Sequence, residues 1–148
     1  MTRPRRRHDQ RGSAMAVEIV VCAPLLAGFI WLIIFGGRIA LANQAVQTAA
    51  ADAARAASIS RTATTARSQA RQWAATSLSN QGVDCVHTQI DIDTAGFSRP
   101  VGTPATVTVQ ISCDLNTADL AALPGIPGSM PVHASMTSPL DTYRERRR

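Results

Sequence analysis

The sequence has no lysine, so every basic side chain in its 148 residues is an arginine. Aromatic residues make up only 4%, with a single tyrosine. So few rings are poor material for lining a small-molecule pocket. They also leave the arginines without the interleaved aromatics of a single-strand nucleic-acid surface. No glycine-rich phosphate loop, nucleophile elbow or HExxH pair is present. The three histidines, His8, His87 and His133, lie far apart in the chain. These absences point away from an enzyme, a resident metal, another cofactor or a nucleic-acid partner.

Long hydrophobic runs are also scarce, and the one that exists dominates the reading. Ile19 to Gly37 carries no charge. As a helix rising 1.5 Å per residue it spans about 28 Å, close to the hydrocarbon thickness of a bilayer. Arg3, Arg5, Arg6, Arg7 and Arg11 precede it, while Arg38 and Arg55 are the near basic residues after it. That asymmetry predicts a cytoplasmic N-terminus and an extracytoplasmic remainder. Residues 1–12 read as a basic cytoplasmic leader, residues 13–37 as a transmembrane helix, and Pro24 as the site of a mild kink. The C-terminal "YRERRR" reads as a solvated basic tail, residues 144–148, too far from the span to orient it. Glu18 stands at the mouth of the span. A carboxylate at the edge of hydrocarbon is costly unless partnered, and headgroup solvation or a reach back to Arg11 are the plain alternatives.

The three cysteines divide in the same way. Cys22 lies in the span as a lone thiol. Cys85 and Cys113 lie in the part expected outside, where disulfides persist, and pairing with each other is their simplest fate. Their spacing fits no zinc pattern.

Between Arg38 and Leu78 there is neither proline nor glycine, and alanine, the best helix former, dominates. Gln44, Gln47, Thr48, Asp52 and Arg55 share one side of the helical wheel. Ala42, Val46, Ala49, Ala53 and Ala57 share the other, a narrow face of small residues suited to close packing. Residues 38–79 therefore read as an Ala-rich extracytoplasmic helix, and the Ser/Thr-rich stretch from Ser58 to Thr65 leaves open whether it is continuous. Asn80-Gln81-Gly82 marks its stop.

The period then changes from 3.6 to 2. "CVHTQIDID", "ATVTVQISC" and "PVHASMT" each alternate apolar and polar positions, as half-buried strands do. In the first strand Val86, Ile90 and Ile92 mark the inward face. Cys85 is out of phase with them, which a bulge near the strand's start would resolve. Between the second and third strands, Asn116 or Thr117 is placed to cap a short helix through Leu123. His87, Asp91 and Asp93 share a strand face with Gln89, and this reads as a solvent-facing polar row rather than a metal site. Residues 80–143 read as a small, disulfide-linked, β-rich head. The fold class is α+β: a single N-terminal transmembrane helix extended into a long Ala-rich helix and packed with a small antiparallel sheet of about three strands.

The segment "RGSAMAVEIVVCAPLL", followed by the rest of the span, resembles the type IV pilin group. It is most similar to the TadE-like pseudopilins of tight-adherence (Flp-type) pilus systems. The resemblance implies a minor pseudopilin or pilus-assembly component whose partners are the lipid bilayer, other pseudopilins and a prepilin peptidase. It implies leader removal near Gly12 and Ser13. It also implies a role for Glu18 in pairing with the α-amino group of a neighbouring subunit. The family's glutamate is usually the fifth residue after the cut. Cleavage after Gly12 makes Glu18 the sixth, and cleavage after Ser13 makes it the fifth. Two other readings remain open: a secreted domain with a signal peptide cut near Ala42, at "ALAN", and a membrane-tethered binding module.

Overall fold

The computed structural model describes residues 11–118 and 128–145. Helix α1 spans Arg11–Ser58, with Pro24 inside it, and α2 spans Ala63–Asn80. Strand β1 (Cys85–Asp93) is followed by a 3-10 turn (Ala95–Ser98), β2 (Thr106–Asn116) and β3 (Ser129–Pro139). The strands form an antiparallel sheet in the order β1-β2-β3. The expected short helix between the second and third strands, and the leader Met1–Gln10, fall outside the described residues. Two compact units result, residues 1–38 and residues 39–148, and the boundary falls within α1. The fold class is α+β, with one long apolar N-terminal helix, a second helix and a three-stranded antiparallel sheet.

In the second unit the helical signal breaks where serine and threonine crowd. The hydroxyls of Ser58 and Ser60 donate to the carbonyls of Arg55 and Ala56, local bonds that compete with helix propagation. Ile59 to Thr62 form the break, and Thr62 starts the new helix from an extended conformation, its Oγ1 accepting from the N–H of Thr65 at 3.1 Å. The far end of α2 closes in a Schellman motif. The N–H of Val83 donates to Leu78 O and that of Gly82 to Ser79 O. Gly82 supplies the positive φ of 64° that this stop requires.

α2 turns back along α1. Near its C-terminus, Ser77 Oγ donates to Asp52 Oδ2 at 3.0 Å and Gln81 Nε2 to Ala45 O at 3.3 Å. The contact is built from small residues. Ala63, Ala66, Ala70, Ala74 and Leu78 of α2 bury the i, i+3, i+4 stripe of an amphipathic helix. The α1 face is wider than the sequence pattern indicated. Besides the five expected positions, Ala45, Ala50, Ala54 and Ala56 are buried. Most of these alanines form one core cluster with Val107, Val109, Ile111 and Cys113 of β2. A stripe satisfying one neighbour would be narrow, so the extra width reflects a segment with other elements on more than one side.

β1 differs from the simple alternation. Its register to β2 shifts between Cys85 and His87, where Cys85 faces Leu115 and His87 faces Asp114. Val86 is the extra residue of this bulge and is 66% exposed, so it does not join Ile90 and Ile92 facing the core. The shift brings Cys85 into phase, and it forms the disulfide with Cys113.

Candidate membrane and assembly surface

Among the described residues, the longest run of exposed large apolar side chains lies on α1 within the first unit. The large apolar side chains between Ile19 and Ile34, the half-buried Trp31 apart, are between 50% and 71% exposed. Fully burying such a side chain is worth about 1.5–3 kcal/mol. A run of this kind left in water would outweigh the ~5–15 kcal/mol that holds a typical domain together. A segment so exposed needs an apolar surrounding. Trp31 and Phe35, one turn apart, stack with ring centroids 5.3 Å apart, a local pair of the kind that i, i+4 spacing allows.

Glu18 is exposed at the N-terminal side of this run. Gly12 and Ser13 lie in the first turn of α1, and their side chains fall outside the described set. Cys22, on the same apolar stretch, is a free and exposed thiol. The structure thus gathers the expected assembly residues onto one helix and places the Cys85–Cys113 bridge in the other unit.

Among the described residues no second constellation competes with this surface. His87, Gln89, Asp91 and Asp93 lie along the exposed face of β1, opposite Asp114, Ser112, Gln110 and Thr108. Among the described residues no three His, Cys, Asp or Glu side chains come together as a metal site would need. The polar face satisfies itself across strands: His133 Nδ1 lies 2.9 Å from Ser112 Oγ, and the hydroxyls of Thr108 and Thr137 lie 2.9 Å apart. This is cross-strand pairing on a wet sheet face.

Sequence reasoning missed two polar anchors. Asp52 sat on the polar side of the wheel but accepts the Ser77 hydroxyl. Arg144, assigned to a solvated tail, donates from Nη1 to the carbonyl of Ile59 at 3.1 Å, tying the chain's end to the helix break. Neither pairing has a sequence signal, because the partners lie 25 and 85 residues apart.

These features define a class: a chain with one helix near its N-terminus long and apolar enough to cross a membrane, joined to a disulfide-linked α+β unit. The family model described as TadE-like protein matches residues 14–55. Over that segment the chain is similar to the TadE-like family, consistent with a protein of tight-adherence pilus systems. The match covers Glu18, the apolar run and the alanine-rich turns up to Arg55, and it stops before α2 and the sheet. No curated protein and no solved structure matches the chain. The family is a pilus structural and assembly family, and together with the apolar helix it suggests a membrane-anchored pilus component.

Proposed function

We propose that this chain is a TadE-like minor pseudopilin or pilus-assembly component that assembles through its N-terminal hydrophobic helix. It inserts with the N-terminus in the cytoplasm and carries its disulfide-linked unit outside. Prepilin peptidase trims the leader at Gly12 or Ser13, and the apolar helix is retained afterwards. The observation that carries this reading is the run from Ile19 to Ile34, exposed almost throughout, with an acid at its entrance and inside the family match.

Glu18 then acts as a register device. Opposite charges a few ångströms apart attract strongly at low dielectric, so the carboxylate and a neighbouring subunit's α-amino group offset each other's burial cost. A subunit stacked out of register leaves both charges unpaired, which is costly. Cleavage creates that α-amino group, so processing and assembly become consecutive steps of one chemistry.

The secreted-domain reading meets a physical obstacle. A cut near Ala42 would divide α1 and take buried Ala42 from the core that also holds Val46 and Ala49. The test is the N-terminal residue of the protein recovered from cells, together with the Glu18→Gln variant. Ser13 or Ala14 at the N-terminus is expected, with Glu18→Gln still inserting in the membrane but failing to co-purify with pilus components. An N-terminus at Asn43 would establish secretion, an intact leader would establish a simple tether, and normal assembly of Glu18→Gln would remove its pairing role.

A further inference from the structure

The bridge between Cys85 and Cys113 has two unlike ends. Cys113, on the central strand, is fully enclosed, with no exposed surface. Cys85, on the edge strand, is only half-buried. It lines an open groove of about 710 Å³ between the end of α2 and β1, together with Leu78, Val83, Val86, Ile90 and Asn116. The bulge makes this difference. It turns Val86 out of the sheet and sets Cys85 at the ladder's irregular end, on an edge strand that pairs with β2 alone among the described residues.

Thiol–disulfide exchange requires a thiolate to reach one sulfur from the side opposite the leaving sulfur, so access decides which sulfur is attacked. We propose that Cys85 is the redox-active pole of this bridge. A thiol–disulfide carrier protein, presenting a thiolate on an extended segment, meets Cys85 in the groove, and Cys113 is the resolving cysteine.

In the reductive direction, the carrier thiolate attacks Cys85 Sγ. A carrier–Cys85 mixed disulfide forms, and the Cys113 sulfur leaves as a thiolate that takes up a proton. In the oxidative direction, the Cys85 thiolate attacks the carrier's disulfide and displaces one carrier thiol. The Cys113 thiolate then attacks Cys85 Sγ and releases the second. Two protons and two electrons pass from the cysteine pair to the carrier, which leaves as a dithiol.

Glutathione serves as the probe on the full chain in detergent micelles, with Cys22→Ala as background so that no third thiol reports. Folded oxidised protein is exposed to excess reduced glutathione at pH 8 and quenched with acid, and the adduct is mapped by peptide mass. The expected result is a glutathione adduct on Cys85 at least tenfold over Cys113. In denaturant the two sites should approach equal labelling. A native ratio near one, a preference for Cys113, or no native adduct at all while the denatured chain reacts would each overturn the assignment. Cys113→Ala, with its thiol at Cys85 alone, supplies the second measurement. Its folded form should react with oxidised glutathione at least tenfold faster than folded Cys85→Ala, and equal rates would contradict the proposal.

Discussion

α1 passes through two regions that treat apolar residues in opposite ways. Before Arg38 the leucines, isoleucines and valines from Ile19 to Ile34 are at least half exposed, while beyond Ile39 its alanines are almost all enclosed. The more hydrophobic region is the less buried one. Burial in the second unit comes from closeness: alanine faces let α1 and α2 approach, and their small methyls meet branched side chains from β2. In the first unit, exposed bulk calls for an apolar surrounding. The lesson is that side-chain size on one helix separates the surface for others from the surface for itself.

The largest expected effect lies in the second unit alone. Cys113→Ala removes a bridge across 28 residues, worth about 3–4 kcal/mol on the chain-entropy estimate, and empties a fully enclosed site. Urea unfolding in micelles, followed through amide exchange of β2, should show that loss. The apolar run should remain helical throughout. Loss of helix in residues 18–37 on the same titration would mean that the two regions are not independent.

Overpacking comes next. Ala53 is fully enclosed among α1, α2 and the sheet. Ala53→Leu adds three carbons where no room exists and should cost about 1–3 kcal/mol. The same change at exposed Ala40 in the same helix should shift stability by less than about 0.5 kcal/mol. Equal effects at the two positions would break the account of alanine as a device for close approach.

How much of this was legible in advance depended on the range of each signal. The apolar span, the helix-to-strand change of period and the Gly82 stop are local patterns, and they read directly. The bulge was visible only as a conflict of phase at Cys85. Its resolution, with Val86 turned outward, required the disulfide partner on another strand. The break at Ile59–Thr62 was ambiguous because alanine propensity and the Ser/Thr side-chain bonds oppose each other within a few residues. The width of the α1 face and the Arg144 anchor were beyond reach, since both depend on what another element places there. For the assembly surface, the residue order put Ser13 and Glu18 on one helix and Gly12 in the leader before it, and the structure adds Gly12 to the helix, while the role of each rests on partners outside this chain.

The smallest expected effect makes the sharpest test of the comparison. Leu25, Ile30 and Ile33 are among the most hydrophobic residues here and would be costly losses in any core, about 2–5 kcal/mol each on truncation to alanine. Their side chains are 57–70% exposed, so Leu25→Ala, Ile30→Ala and Ile33→Ala leave no intramolecular cavity. The exchange rates of β2 amides in these variants should stay within about 0.5 kcal/mol of the parent. If the proposed assembly through this helix holds, their co-purification with pilus components should fall. A drop of more than 2 kcal/mol in β2 protection would instead make the span part of the folded unit. The alanine face and the leucine-rich run would then be one core divided only by position along the helix.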